Sequence, residues 1–310
     1  MKFQILSDLH LELCKQYHTF SIPTTTAPYL VLAGDIGRLQ DYDEYLAFLL
    51  PLCNQYMRVF LVLGNHEFYG ISRAEGLERA TSLEREPSLQ GKLSILNRTR
   101  YDVPDTNITI LGCTLHSQID ADSRESVVRK VQDFRRIQDW SVELHNAEHA
   151  ADVAWLEEEI ESVISGKDDQ HDGGVKREKK ILVITHHAPT RQESSAPEHV
   201  SNPWSSAFAT DLLPPENTSL SQLTQVQWWI FGHTHYSTRF SRGKVKLLSN
   251  QRGYVFPKNG QGGGLHPPPA AHRHSGVQWI RRVLGLQGDH KTGSEGSITE
   301  EFDVSKVIDI

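Results

Sequence analysis

Five short blocks of the sequence carry aspartate, asparagine or histidine, side chains that commonly bind divalent metal ions. The blocks are Ser7-Asp8-Leu9-His10, Gly34-Asp35-Ile36-Gly37, Gly64-Asn65-His66-Glu67, Thr185-His186-His187-Ala188-Pro189 and Gly232-His233-Thr234-His235. Imidazole, carboxylate and amide oxygen without thiolate suit borderline ions of the Mn, Fe, Zn or Ni class. These residue types predict a metal centre and leave the identity of the ion open within that class.

Two divalent ions at such a centre would suit the chemistry of phosphate esters. With the carboxylates of Asp8 and Asp35 and a bridging hydroxide, the centre keeps a net positive charge, because histidine and Asn65 are neutral ligands. That local charge can attract an anion although the whole chain has a formal net charge of −7. Two-metal sites hydrolyse phosphate esters by holding the attacking and leaving oxygens and by lowering the pKa of bound water. The predicted reaction is therefore hydrolysis of a phosphate ester by a metal-bridging hydroxide.

The departing alkoxide also needs a proton, and His66 is the candidate general acid because it directly follows Asn65. Nearby dications would depress the pKa of His66, so its imidazole needs an anionic or carbonyl partner to stay protonated. Glu67 is the adjacent carboxylate and could serve as that partner, although the sequence alone does not place its side chain.

Each of the five blocks directly follows a short apolar run that is typical of a buried strand. Seven such runs are present: Phe3–Leu6, Tyr29–Ala33, Val59–Leu63, Ile108–Leu111, Ile181–Ile184, Trp228–Phe231 and Val245–Leu248. Two helices are predicted between them, one over 41–56 that bends or breaks before Pro51, and one over 146–164 that Asn146 caps. The alternation of strands and helices favours an α/β fold, in which ligand sites lie at the carboxyl ends of the strands.

Composition narrows the class of protein further. The chain has 310 residues, of which 38% are hydrophobic, enough for one large domain. Its negative net charge opposes binding to bulk nucleic acid or an anionic membrane. Its three scattered cysteines suit a reducing compartment, and no apolar run is long enough to span a membrane. The sequence predicts a cytoplasmic protein that acts on a small phosphate ester.

The five blocks, taken in order, resemble the signature of the calcineurin-like metallophosphoesterase superfamily: D-x-H, G-D, G-N-H-[DE], H and G-H-x-H. The resemblance implies one ion bound by Asp8, His10 and His235, a second bound by Asn65, His186 and His233, and Asp35 bridging both. It also implies that His66 is the catalytic histidine, with Glu67 as its acidic neighbour, and that His187 occupies a variable position. The implied fold is a four-layer α-β-β-α sandwich of two mixed sheets flanked by helices, with the dinuclear site at the carboxyl edge of the strands.

One departure from the superfamily narrows the expected activity. Phosphoprotein phosphatases of this type carry G-D-x-V-D-R-G and R-G-N-H-E, whereas this chain reads Gly34-Asp35-Ile36-Gly37-Arg38-Leu39 and has Leu63 before Gly64. The second aspartate and the substrate-binding arginine are missing, which argues against protein phosphatase activity. The run Ile108–Leu111 and the segment 133–137 instead resemble a fungal and bacterial branch of phosphoesterases.

Three functions remain open from the sequence. The first is hydrolysis of a phosphomonoester or phosphodiester, the second is a cyclic nucleotide phosphodiesterase with the same ligands, and the third is a non-catalytic protein-binding scaffold on the same fold. A scaffold should show degraded ligands, whereas every ligand position here is intact. We expect a single domain over 1–310, in which 257–297 is a low-order insertion before a closing strand over 302–310.

Overall fold

The computed structural model describes residues 1–166, 179–213, 221–256 and 298–310. Within these residues the chain forms strands that assemble into two mixed sheets. The strands are β1 Lys2–Leu6, β2 Tyr29–Ala33, β3 Arg58–Val62, β4 Leu93–Leu96, β5 Thr99–Asp102, β6 Ile108–Cys113, β7 Lys180–Thr185, β8 Trp228–Ile230, β9 Thr238–Arg242, β10 Val245–Ser249, β11 Ile298–Thr299 and β12 Val307–Asp309.

The first sheet has the order β12-β1-β2-β3-β4, and the second has the order β11-β9-β10-β8-β7-β6-β5. Strands β1 to β4 pair in parallel, and β12 pairs antiparallel with β1 at one edge. In the second sheet β10, β8, β7 and β6 pair in parallel, whereas β9, β11 and β5 are antiparallel to their neighbours. The parallel centre of each sheet brings several carboxyl ends of strands to one edge.

The two sheets stack face to face and carry helices on their outer faces. The helices are α1 Tyr42–Gln55, α2 Arg73–Glu84, α3 Arg124–Lys130, α4 Asp133–Arg136 and α5 Val142–Ser165. Buried side chains such as Val31 and Phe60 of the first sheet meet Leu182 and Ile230 of the second in one apolar cluster. Separate clusters join α1 and α2 to the first sheet and α5 to the second. The predicted sandwich of two mixed sheets flanked by helices is confirmed.

Both predicted helices exist, but their details were wrong. Helix α1 runs without a break through Pro51, whose ring lies exposed while Phe48, Leu49 and Leu52 are buried against the sheet. That burial on one face outweighs the single lost backbone hydrogen bond on the other. Helix α5 begins four residues earlier than predicted, at Val142, where the Ser141 side chain accepts a hydrogen bond from the Leu144 amide.

The sequence also missed or misplaced short elements, because a run of four or five residues gives little periodic signal. Strands β4, β5 and β9 were not predicted, and the closing strand is confined to Val307–Asp309. Helix α2 was also missed although it has 12 residues, because its buried residues are only Gly76, Ala80 and Leu83, which form a weak apolar pattern. The proposed insertion over 257–297 lies outside the described residues, so the insertion and the single-domain organisation stay predictions. No helix in the described part of the chain combines the length and apolar character needed to cross a membrane.

Candidate metal centre

The five sequence blocks meet at one edge of the sandwich, between the two sheets. Asp8, Asp35 and Asn65 follow strands β1, β2 and β3 of the first sheet, and His186 and His233 follow β7 and β8 of the second. All of these side chains are buried. The site therefore exists only where the carboxyl ends of strands from both sheets come together.

The predicted ligands fall into two groups of potential metal-binding atoms. Asp8, His10, Asp35 and His235 form one group, and Asp35, His186 and His233 form the other, with ligand atoms within 4.8 Å of one another in each. The Asp35 Oδ2 atom lies 3.9 Å from His10 Nε2, and its Oδ1 atom lies 3.3 Å from His186 Nε2. Asp35 is thus the carboxylate that the two groups share.

Asn65 completes the second group through its amide oxygen, which lies 3.1 Å from His186 Nε2. The Asn65 Nδ2 atom donates to Asp133 Oδ1 at 2.8 Å, and the Tyr69 hydroxyl donates to the same oxygen at 2.7 Å. This contact directs the amide nitrogen away from the centre and the amide oxygen toward it. In the same way His186 Nδ1 donates to the Ala33 carbonyl at 2.9 Å, which leaves Nε2 to face the ligands.

The backbone at the site is held in an uncommon conformation. Five of the seven predicted ligands, Asp8, His10, Asp35, His233 and His235, have positive φ angles between 48° and 71°. Left-handed backbone at residues other than glycine costs energy, so it persists where surrounding structure requires it. Gly64 makes room for this packing, since a Cβ atom there would overlap the Asp35 carboxylate.

The donor set fits divalent cations. His10 Nε2 and His235 Nε2 lie 2.9 Å apart, and His233 Nε2 is buried with no hydrogen-bond partner among the described residues. Buried polar atoms that converge without partners are costly unless a further group satisfies them. Neutral imidazoles facing the carboxylates of Asp8 and Asp35 are the environment that a borderline divalent ion requires.

Glu12, which the sequence analysis did not identify, lies beside the predicted acid. His66 Nδ1 donates to Glu12 Oε1 at 2.8 Å, and the same oxygen lies 3.5 Å from His10 Nδ1. Burial alone would lower the pKa of His66, but Asp35 and the hydrogen bond to Glu12 outweigh it and raise that pKa to about 9. Burial would raise the pKa of Glu12, yet the hydrogen bonds from His10 and His66 lower it to about 2.

Glu67, the candidate carboxylate partner for His66, instead contacts the backbone of neighbouring loops, and its place among the catalytic residues stays a prediction. The Glu67 carboxylate accepts hydrogen bonds from the backbone amides of Gly64, Asp35 and Ile36 at 2.7–2.9 Å and from the Tyr45 hydroxyl at 3.0 Å. The Glu67 carboxylate thereby connects the loop after β2 to the loop after β3 and fixes the positions of both loops at the site. His66 and Glu67 are adjacent in the sequence, but the side chains of adjacent residues need not face each other. Glu12 follows His10 by two positions, and this spacing was visible in the sequence.

His186 and His187 also have different surroundings. His186 faces Asp35 and Asn65, whereas His187 lies behind the centre, with its ring tilted by 35° against that of His233 at a centroid distance of 4.0 Å. Both ring nitrogens of His187 are buried without a partner among the described residues. The structure thus places His187 outside the two ligand groups.

Comparison with known proteins shows which family the sequence matches. The calcineurin-like phosphoesterase family matches residues 1–237, which include all five sequence blocks. An uncharacterized protein of Acanthamoeba polyphaga mimivirus is 24% identical over 273 residues, covering 82% of this chain and 91% of that protein.

Two solved structures show the likeness in three dimensions. The phosphopantetheinyl hydrolase from Mycobacterium tuberculosis is 15% identical with a TM-score of 0.53, covering 85% of this chain and 98% of that one. A dimetal phosphatase from Danio rerio is 16% identical with a TM-score of 0.44, covering 80% and 86%. The first of these similarities supports the fold. Because the family match extends over well more than half of the 310 residues, the chain belongs to the calcineurin-like phosphoesterases, a family of metal-dependent phosphoester hydrolases.

Proposed function

We propose that the protein hydrolyses a small phosphate ester at a dinuclear metal centre. Asp8, His10 and His235 would hold one ion, Asn65, His186 and His233 would hold the other, and Asp35 would serve both. The observation that carries the proposal is the position of Asp35, whose two oxygens face the two ligand groups at 3.9 and 3.3 Å. A carboxylate shared in this way suits two ions better than one.

When bound, the ions supply an activated water and positive charge for the phosphate group. The chain itself supplies the proton for the leaving oxygen from His66 Nε2, which lies 3.9 Å from Asp35 Oδ2 and so borders the centre. Glu12 keeps the hydrogen on Nδ1 and thereby fixes the orientation of the imidazole. The Tyr254 hydroxyl lies 3.2 Å from His66 Nε2, and both residues line the same cleft.

Asp133, Tyr69 and Glu67 would act through other residues. Asp133 and Tyr69 orient the amide of Asn65, and Glu67 holds the loop backbones that carry Asp35 and Asn65. These contacts predict that the three side chains affect metal affinity more than the proton transfer, because they contact ligands or ligand-bearing loops.

The same ligands would serve hydrolysis of a phosphomonoester or of a phosphodiester, including a cyclic nucleotide. The cytoplasmic location stays a prediction from composition. The scaffold alternative is disfavoured because the described site retains a buried acid with its carboxylate partner, which a binding surface does not need.

Metal analysis combined with turnover of a substrate panel tests the proposal. The panel contains p-nitrophenyl phosphate, bis-p-nitrophenyl phosphate, cyclic nucleotides and a phosphopeptide. We expect close to two ions of the Mn, Fe, Zn or Ni class per chain, turnover of at least one ester that chelation abolishes, and no turnover of the phosphopeptide. A purified protein that binds no such ion and hydrolyses none of these esters would overturn the proposal.

A further inference from the structure

A cleft leads from the metal centre to the surface, and one of its walls is apolar. Asp35, Asn65 and His233 lie at its inner end, together with His66. Further out the cleft is lined by the apolar side chains Val131, Val200, Trp204, Phe208 and Ala209. We call these five residues the apolar wall.

Three residues of the apolar wall, Val131, Trp204 and Phe208, belong to one small apolar cluster. Val131 and Ala207 are buried with Val127, and Trp204 and Phe208 pack against them while remaining half-buried. The Phe208 ring also stacks on the imidazole of His233, with centroids 4.8 Å apart and planes 25° apart. The wall therefore begins at a proposed metal ligand and continues outward as far as Trp204 without depending on a substrate for its shape.

Charges at the cleft are unevenly distributed. Arg191 lines the cleft but is paired with Asp120, with Nη2 3.0 Å from Oδ1. Lys130 lies with its Nζ atom 5.7 Å from the centre of the Trp204 ring. A substrate whose phosphate sits at the metal centre would thus meet aromatic and aliphatic surface along the apolar wall, with the cations of Lys130 and Arg191 also lining the cleft.

We propose that the substrate is a phosphate ester whose organic group carries a flat aromatic ring, which binds against Trp204. This inference rests on the proposed hydrolysis of phosphate esters and specifies its substrate class. The wall presents a half-buried indole beside the stacked rings of Phe208 and His233, and aromatic rings gain more from stacking on such surfaces than from area burial alone. An aliphatic group of equal size would gain only the free energy of burying its apolar surface.

Three alkyl phosphates separate these contributions: ethyl phosphate, 2-cyclohexylethyl phosphate and 2-phenylethyl phosphate. All three release primary alcohols of similar acidity, so differences in kcat/KM report on binding of the organic group. We expect 2-phenylethyl phosphate to exceed 2-cyclohexylethyl phosphate by about 3- to 10-fold in kcat/KM, the range that aromatic stacking contributes. Equal or reversed values for these two esters would overturn the proposal in favour of an aliphatic group.

Two variants and a control locate the preference. Trp204→Leu should bring the phenylethyl-to-cyclohexylethyl ratio close to one, and Trp204→Phe should restore most of it. Trp228→Leu is the matched control, because Trp228 is a half-buried tryptophan at the start of β8 beneath Lys246 and outside the cleft lining. The ratio should be unchanged there. Since each ratio is measured within one variant, a partial loss of folded protein cancels.

The outcomes distinguish this inference from the proposed function. If ethyl phosphate and p-nitrophenyl phosphate are both inert with metal present, the hydrolysis proposal itself fails. If they are turned over but the aromatic ester gains nothing, or if Trp204→Leu keeps the full ratio, only the aromatic subsite is wrong.

Discussion

Two clusters of buried histidines lie side by side in this molecule, and only one of them has the composition of a metal site. The metal centre combines its histidines with Asp8 and Asp35. Behind it His116, His145 and His187 form what we call the second histidine cluster, with ring centroids 5.2–5.6 Å apart. The two clusters touch where the rings of His187 and His233 meet at a centroid distance of 4.0 Å.

The difference between the clusters lies in where their carboxylates point. Asp35 faces His186, and although burial opposes it, this attraction raises the pKa of His186 to about 10. In the second cluster Asp152 lies 3.4 Å from His116 but is bound by Arg98 at 2.7 Å. Burial accordingly lowers the pKa of His187 well below its usual value. The pKa values of the adjacent residues His186 and His187 thus shift in opposite directions, because His186 faces a carboxylate and His187 faces the rings of other histidines.

The largest expected effect comes from replacing the shared carboxylate of the metal centre with an amide. The same replacement in the second histidine cluster is the control. Asp35→Asn should abolish turnover and lower the metal content, because the shared ligand is lost and the cations are less neutralised. The control Asp152→Asn should retain metal and turnover while lowering the free energy of unfolding by about 1–3 kcal/mol, as Arg98 loses one of its two carboxylate partners, Asp152, and keeps Glu148. Metal analysis and denaturant unfolding measure both. Full turnover with two ions in Asp35→Asn would refute the bridging role.

A second test separates the acid from the ligands within the metal centre. His66→Gln should keep both ions yet lower kcat by about 10²–10⁴-fold on esters with poor leaving groups, since no proton donor remains. The loss should be smaller for p-nitrophenyl phosphate, whose leaving group needs little protonation. An equal loss for good and poor leaving groups would show that His66 is not the acid.

The two glutamates offer a smaller and more specific contrast. Glu12→Gln should lower kcat by about 10- to 100-fold on poor leaving groups without loss of metal, because His66 loses the partner that orients it. Glu12→Asp should recover part of this rate. Glu67→Gln should act differently, by weakening metal binding, because its carboxylate holds the backbone of Asp35 and Gly64. If Glu67→Gln gives the leaving-group dependence and Glu12→Gln does not, their assignments are reversed.

The smallest effect is expected in the second histidine cluster. His187→Phe should leave metal content and kcat within about twofold, because neither ring nitrogen has a partner among the described residues. The free energy of unfolding should be unchanged or raised, since a buried polar ring is replaced by an apolar one of similar shape. Loss of one ion from His187→Phe would place this residue in the metal centre after all.

The sequence by itself determined the chemistry and the class of fold. Strand-sized apolar runs followed by Asp, Asn and His predicted an α/β fold with ligands at one edge, because burial and metal binding each require particular side-chain types. All seven candidate ligands lie at that edge. Short strands such as Leu93–Leu96 left little sign in the sequence, because their pairing, here with β3, depends on distant residues.

Only the tertiary structure decided which polar residue meets which. Glu12 and Glu67 are equally acidic in the sequence, yet the turn after β1 brings Glu12 to His66, and the loop after β3 turns Glu67 toward backbone amides. Asp133 reaches Asn65 from 68 positions away, a contact that no local spacing could encode. Asp8 and His233 both have left-handed backbone, and the His233 amide donates to the Asp8 carboxylate from 225 positions away. Side-chain type follows from sequence, whereas the partner, orientation and charge of each buried group follow from contacts between distant segments.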